Sequence, residues 1–160
     1  MPLEPTAHVA GLRAWRGAMP VESRYTVGPA GERFFRALKD EARLLGTRCR
    51  RCGVTYVPGR LFCERCFDEL REWTDVGPAG RLEAVSAVYL NPDGSRRASP
   101  RLVALIRLDG ADTVIFHYLG DVEPQQATIG LRVRPVFEPA ERRTGSILDI
   151  ACFKPEQGDR

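Results

Sequence analysis

What the sequence has little of narrows it first. Lysine is nearly missing: Lys39 and Lys154 are the only two in 160 residues, so arginine carries most of the positive charge. Arginine suits planar, paired contacts with phosphates and carboxylates, but a bias spread over the whole chain marks no site. Histidine is as scarce, with His8 and His117 alone. No apolar run approaches the roughly 20 residues that cross a bilayer. The opening residues, with Pro2, Pro5, His8, Arg13 and Arg16, lack the apolar stretch of a secretory leader. The expectation is a cytoplasmic protein without membrane contact. A strong excess of one charge is also lacking: the net charge is +3, far from a dedicated nucleic-acid binder. There is no Gly-rich phosphate loop, no G-x-S-x-G elbow and no HExxH. The hydrophobic share of 43% is ordinary and allows a real core.

Cysteine is present, but unevenly. Cys49, Cys52, Cys63 and Cys66 form two C-x2-C pairs separated by ten residues, and Cys152 stands far away. A secreted disulfide framework would more often show an even count spread along the chain, whereas clustered pairs in a cytosolic protein point to metal. A two-residue gap lets both thiolates of a pair turn to one ion. Two pairs complete a tetrahedron, which zinc accepts readily. Gly53, just after the first pair, relieves crowding where the backbone folds around sulfur. Four thiolates leave no open position, so the ion is structural. Zinc is preferred to iron, and the rival reading of two redox CxxC motifs lacks the βαβ context it expects. Arg48, Arg50, Arg51 and Arg65 beside the ligands either offset the site's negative charge or form a phosphate patch.

The rest of the chain divides around this block. Residues 1–28 read as an arm rich in Gly and Pro, yet Leu12, Trp15, Met19, Val21 and Tyr25 are too apolar for a solvated tail. It is expected to lie on a partner, or else on its own barrel. Residues 29–46 read as a helix, with Phe34, Phe35, Leu38, Ala42 and Leu45 on one side and Gly46 ending it. The ribbon takes 47–73. From 79 to 154 the period changes to two. RLEAVSAVYL, RLVALIRL, TVIFHYL, LRVRPVFE and SILDIACF read as five strands, with NPDGSRRASP a loop and LDGAD a hairpin connection. Five strands with the longest link between the third and fourth match an oligonucleotide/oligosaccharide-binding (OB) barrel. The fold class is therefore mainly β: an N-terminal helix, a rubredoxin-like zinc ribbon and a C-terminal five-stranded OB barrel.

The order FFRAL, TRCRRCG, VTYVPGRLFCERC, an aromatic EW, then VALIRLDG and IGLRVRPVFE resembles the OB-fold proteins with an acyl-CoA-associated zinc ribbon, over roughly residues 30–154. The resemblance implies a helper role: such proteins pair with thiolases, thiolase-like synthases or enoyl-CoA hydratases as accessory subunits. WRGAMPVESRYTVGPAGERFF and RLFCERCFDELREW look similar to the small subunit of aryl-succinyl-CoA (benzoylsuccinyl-CoA) thiolases of anaerobic toluene breakdown. The family has no catalytic set to carry over; only the four cysteine ligands transfer.

The remaining candidates for chemistry are few. His117 in a strand reads as a packed or rim residue, and Cys152 as a small buried hydrophobe. Asp109 and Asp112 look like hairpin residues, not an acid/base pair. Arg96, Arg97 and Arg101 around a flexible connection either meet CoA phosphates or an acidic partner, or are simply solvated. The expected function is thus a non-catalytic subunit that binds a thiolase-type enzyme, with acyl-CoA reached through that partner. The alternative is a nucleic-acid-binding OB module stacking bases on Tyr89, Phe116, Tyr118 and Phe137, against which the charge balance argues. A free-standing hydrolase using Cys152 ranks below both.

Overall fold

The structure, a computed structural model, describes residues 26–156. Almost all of the expected arm, and His8 with it, lies outside the described residues. In chain order the elements are α1 (Gly28–Glu41), β1 (Leu45–Arg48), β2 (Thr55–Tyr56), β3 (Glu72–Asp75), β4 (Gly80–Leu90), β5 (Arg96–Leu108), β6 (Val114–Leu119), β7 (Arg132–Phe137) and β8 (Ile150–Pro155).

Helix α1 forms because Pro29 pre-sets its first turn and Ala30, Phe34, Ala37 and Leu38 recur on one buried face. It ends earlier than its apolar pattern suggests. Ala42 takes the left-handed conformation (φ 52°) and its N–H donates to Leu38 O at 3.1 Å. Leu45 is therefore strand, and Gly46 does not stop the helix. Gly46 is required for another reason: a Cβ there would lie 2.7 Å from the Tyr56 carbonyl oxygen, so only glycine lets β1 pass β2 this closely.

The ribbon is a three-stranded antiparallel sheet in the order β2-β1-β3. The five later strands close into a barrel, β4-β5-β6-β8-β7, with β7 returning to β4 through Gly80↔Val133 and Arg81↔Arg132. This is the expected OB-like layout. Two strand limits differ from the sequence reading. Strand β5 begins at Arg96, so Arg96 and Arg97 lie in a strand and not in a loop. Strand β8 begins at Ile150, because Ile147–Asp149 is a 3₁₀ turn closed by a Ser146/Asp149 capping box.

One core runs through all three parts. It joins Phe34 and Leu38 of the helix, Leu45 and Val57 of the ribbon, and Leu82, Ile106, Ile150 and Phe153 of the barrel. Each large side chain so buried contributes about 1.5–3 kcal/mol. Polar contacts lock the seam. The Thr55 N–H donates to Asp112 Oδ2 at 2.8 Å, the Asp112 N–H donates to Thr55 O at 2.9 Å, and Thr113 Oγ1 accepts from the Val57 N–H at 2.8 Å. The β5–β6 hairpin thus clips the edge of β2. Asp109 meets Arg132 with two bonds of 2.7 Å each. Both aspartates are structural, in keeping with their reading as hairpin residues.

Candidate metal centre

The four paired cysteines converge. The Sγ atoms of Cys49, Cys52, Cys63 and Cys66 all lie within 4.8 Å of one another, and Cys49 and Cys66 are 3.6 Å apart. The edge of a tetrahedron with Zn–S bonds of about 2.3 Å is about 3.8 Å, so the cluster has the dimensions of a four-thiolate zinc site.

Two matching turns build it. After the first pair, the Gly53 N–H donates to Cys49 O at 2.8 Å and the Cys49 N–H to Val54 O at 2.8 Å. After the second, the Phe67 N–H donates to Cys63 O and the Cys63 N–H to Asp68 O, both at 2.9 Å. Each turn requires a left-handed residue, supplied by Gly53 (φ 71°) and by Phe67 (φ 62°). Beneath the sulfurs lies a small core of Val54, Tyr56 and Leu70.

The electrostatics call for a cation. The Tyr56 hydroxyl, 3.2 Å from Cys63 Sγ, donates to it and holds that thiol down at about 6, and its own hydroxyl is pushed up to about 12 in return. Cys66 and Cys52 are less favoured as anions. A hydrogen bond from the Asp68 backbone favours the Cys66 thiolate, but burial and the three neighbouring sulfurs outweigh it and push Cys66 up to about 12. Cys66 lowers Cys52, yet burial with Cys63 and Cys49 raises it overall. Four crowded thiols ionise together only around a positive ion. A dication fits both the donor set and the spacing.

Two of the four neighbouring arginines are paired with acids. Arg50 meets Glu72 at 3.0 Å and Arg51 meets Asp68 at 3.7 Å. The cleft of about 510 Å³ beside Cys49 is lined by arginines and by Asp68, Glu69 and Glu72 alike. Mixed charge favours offsetting the site over a phosphate patch.

The other sequence candidates separate. Arg97 and Arg101 line one cleft of about 420 Å³ with Ser99, Asp121 and Glu123, while Arg96 is not part of that lining. Arg97 donates to Asn91 Oδ1 at 2.6 Å, and its buried Nε has no partner. Cys152 is half-buried, and burial raises its thiol, countered by Lys154 and reinforced by Asp121. Phe116 and Tyr118 share the outer barrel face, whereas Phe137 packs against the core.

His117 is buried, as the packed reading expects. Its Nε2 lies 3.1 Å from Ile147 O and its ring sits edge-on to Phe153 and Tyr118. Burial holds its pKa below 6.5. The unfolded chain therefore binds a proton near pH 6.5 that the folded chain refuses. His117 leaves stability whole above that pH and erodes it as pH falls below. Thermal melts from pH 7.5 to 5 should show this decline, and His117→Gln should flatten it. Metal release at low pH is common to both proteins, so the difference between them isolates His117. Parallel profiles would overturn the assignment.

Sequence reasoning missed Asp149. It is 2% exposed and accepts from the N–H groups of Thr144 at 2.9 Å, Gly145 at 2.7 Å and Ser146 at 3.3 Å. The S-x-x-D spacing before an apolar strand was the available signal. Arg143 in the same loop donates to Leu38 O at 3.2 Å, tying the loop to the end of α1.

Fold and site together define a four-cysteine zinc ribbon joined to an OB-type barrel. Residues 36–71 match the family model of the ChsH2 rubredoxin-like zinc ribbon domain, and residues 73–138 that of the ChsH2 C-terminal OB-fold domain. The two matched segments follow one another along the chain, from residue 36 to residue 138. A DUF35 domain-containing scaffold protein of Methanocaldococcus jannaschii is 28% identical over 110 residues, covering 66% of this chain and 74% of that protein. One from Methanothermobacter thermautotrophicus is 28% identical over 128 residues, covering 78% and 95%. Among solved structures, a DUF35-family protein of unknown function from Sulfolobus solfataricus superposes with a TM-score of 0.60 at 26% identity, covering 81% of this chain and 85% of that one. A chain of the Ltp2-ChsH2(DUF35) aldolase gives a TM-score of 0.60 at 20% identity, covering 82% and 98%, a likeness of fold. Among the described residues no helix is long and apolar enough to cross a membrane.

Proposed function

We propose that this chain is a non-catalytic scaffold subunit for a thiolase-fold enzyme of acyl-CoA metabolism, with Cys49, Cys52, Cys63 and Cys66 gripping one structural zinc ion. The observation that carries the reading is the single core shared by helix, ribbon and barrel. It makes a rigid platform, and among the described residues no nucleophile and base stand together on it. His117 is spent on Ile147, and Cys152 is held as a thiol by burial. Two relatives are themselves called scaffold proteins, and the solved aldolase joins an Ltp2 chain to a ChsH2 chain.

Acyl-CoA reaches the complex through the enzyme subunit. Arg97 and Arg101, in their common cleft, offer guanidinium groups to the CoA phosphates or to acidic groups of the partner, and Arg96 extends the positive charge along β5. The likeness of residues 15–35 and 60–73 to aryl-succinyl-CoA thiolase small subunits favours an aryl-succinyl thioester as the substrate of the assembly. The test is co-expression with the thiolase-fold enzymes of the same genome. One co-eluting species in size-exclusion chromatography, with thiolytic activity that the enzyme alone lacks, is expected. Two separate species and unchanged activity reject the reading.

A further inference from the structure

We propose that the outer face of β4, β5 and β6 is the surface that docks on the partner enzyme, against an apolar patch with an acidic rim. This rests on the scaffold reading above and names the face it uses.

The strand register lays out the face. Ala84 lies opposite Leu105, and Leu105 opposite Phe116. Ser86 lies opposite Val103, and Val103 opposite Tyr118. Val88 faces Arg101 at one end, while Arg81, Arg107 and Val114 make the row at the other. Alternation puts all of these on the side away from the core, since Leu102, Ala104, Ile106, Ile115 and His117 between them are buried. The two central rows are therefore apolar apart from Ser86, yet they face outward. Phe116 is 61% exposed, Val88 39% and Leu105 38%. An outward sheet face normally alternates to polar residues. A contiguous apolar face of this kind marks an interaction surface. From Arg101 to Arg107 it runs about 20 Å, enough for the dry centre of an interface of standard size.

Charge selects the occupant. The apolar rows end in Arg101 on one side and in Arg81 and Arg107 on the other, and Glu83, paired with Arg107 at 2.7 Å, is the acid beside them. A second copy docking face to face would set arginine rows against each other or against valine and leucine, a repulsive or unpaired arrangement. A single nucleic-acid strand needs open aromatic rings to stack on. Here Phe116 is the one open ring of the two central rows, since the Arg101 guanidinium covers Tyr118 at 4.8 Å and most of the rest is aliphatic. A folded protein with an apolar centre and carboxylates around it satisfies both the rows and their ends.

The test uses the full chain, its metal in place, and the thiolase-fold enzyme with which it co-elutes. Phe116→Glu and Arg101→Glu alter exposed side chains, and thermal melts establish that each variant folds. Affinity for the enzyme by calorimetry should fall at least tenfold in each, and wild-type affinity should weaken with added salt. Leu148→Glu, at a residue 59% exposed in the 3₁₀ turn ahead of β8, should bind as wild type does. If wild type binds and Phe116→Glu binds within twofold of it, this face is not the dock although the scaffold reading stands. If wild type binds no thiolase-fold enzyme, both fall. Binding of a single-stranded oligonucleotide, or self-association of the chain, that Phe116→Glu abolishes would assign the face to those occupants and overturn the proposal.

Discussion

Removing the metal is expected to unfold the ribbon and to carry much of the chain with it. Structural zinc contributes roughly 10–16 kcal/mol to small four-ligand folds, whereas a whole domain is stable by only about 5–15 kcal/mol. Residues 49–70 have little else: their own core is Val54, Tyr56 and Leu70 around the sulfurs. The same segment lends Val57 to the main core, and β2 receives the Asp112 clip, so its collapse withdraws support from the barrel. The direct variant is Cys63→Ser, at a fully buried ligand that also meets Tyr56. Elemental analysis should give one zinc per wild-type chain and less than a tenth of that for the variant. Cys152→Ser should keep the full complement. A purified chain with no zinc or iron, four reactive thiols and an unchanged melting profile would refute the metal assignment.

The second large effect is expected at Asp149. Asp149→Ala leaves the N–H groups of Thr144, Gly145 and Ser146 without the buried carboxylate they share, in a loop that is itself only partly buried. Orphaning such groups costs about 1–3 kcal/mol each where water cannot replace the lost partner, and partial relaxation brings the total to roughly 3 kcal/mol. For a chain of this size that is about 6–12 °C in melting temperature. The loop so loosened also carries Arg143 onto Leu38 O, so hydrogen exchange at the end of α1 should rise in the same variant. Asp149→Asn, which keeps one acceptor and loses the charge, should fall between the two. A change in melting temperature under about 2 °C for the alanine variant would contradict the account.

The parts legible in the sequence were those governed by local chemistry. The C-x2-C spacing announced the metal centre because two-residue gaps have few other uses, and Gly53 marked the first left-handed turn. Its twin could not be read, since Phe67 is not a residue that signals positive φ. Barrel strands β5 to β7 were legible where one side is buried and alternation is clear. Alternation fails along 96–100, where the β4–β5 hairpin runs past the core and both sides are wet, and Pro100 further argues against a strand there. The helix end was misplaced because Leu44 and Leu45 continue the apolar pattern while answering to tertiary partners: β1 pairs with β2 and β3, the latter nearly thirty residues on. The seam residues Asp112 and Thr113 carry ordinary turn chemistry, and only the closed fold brings β2 beside them. The outer apolar rows were visible as individual strands, but their alignment depends on register, which the bulges at Leu82/Ala84 and Val88/Leu90 shift.

The clip between the β5–β6 hairpin and β2 also bears on the order of events in the cell. The hairpin grips an edge that the ion holds in shape, so on the scaffold reading proposed above metal loading is expected ahead of subunit assembly. Zinc starvation would then act upstream of the enzyme: apo chains would be left as targets for proteases, and the amount of assembled complex would follow the metal supply.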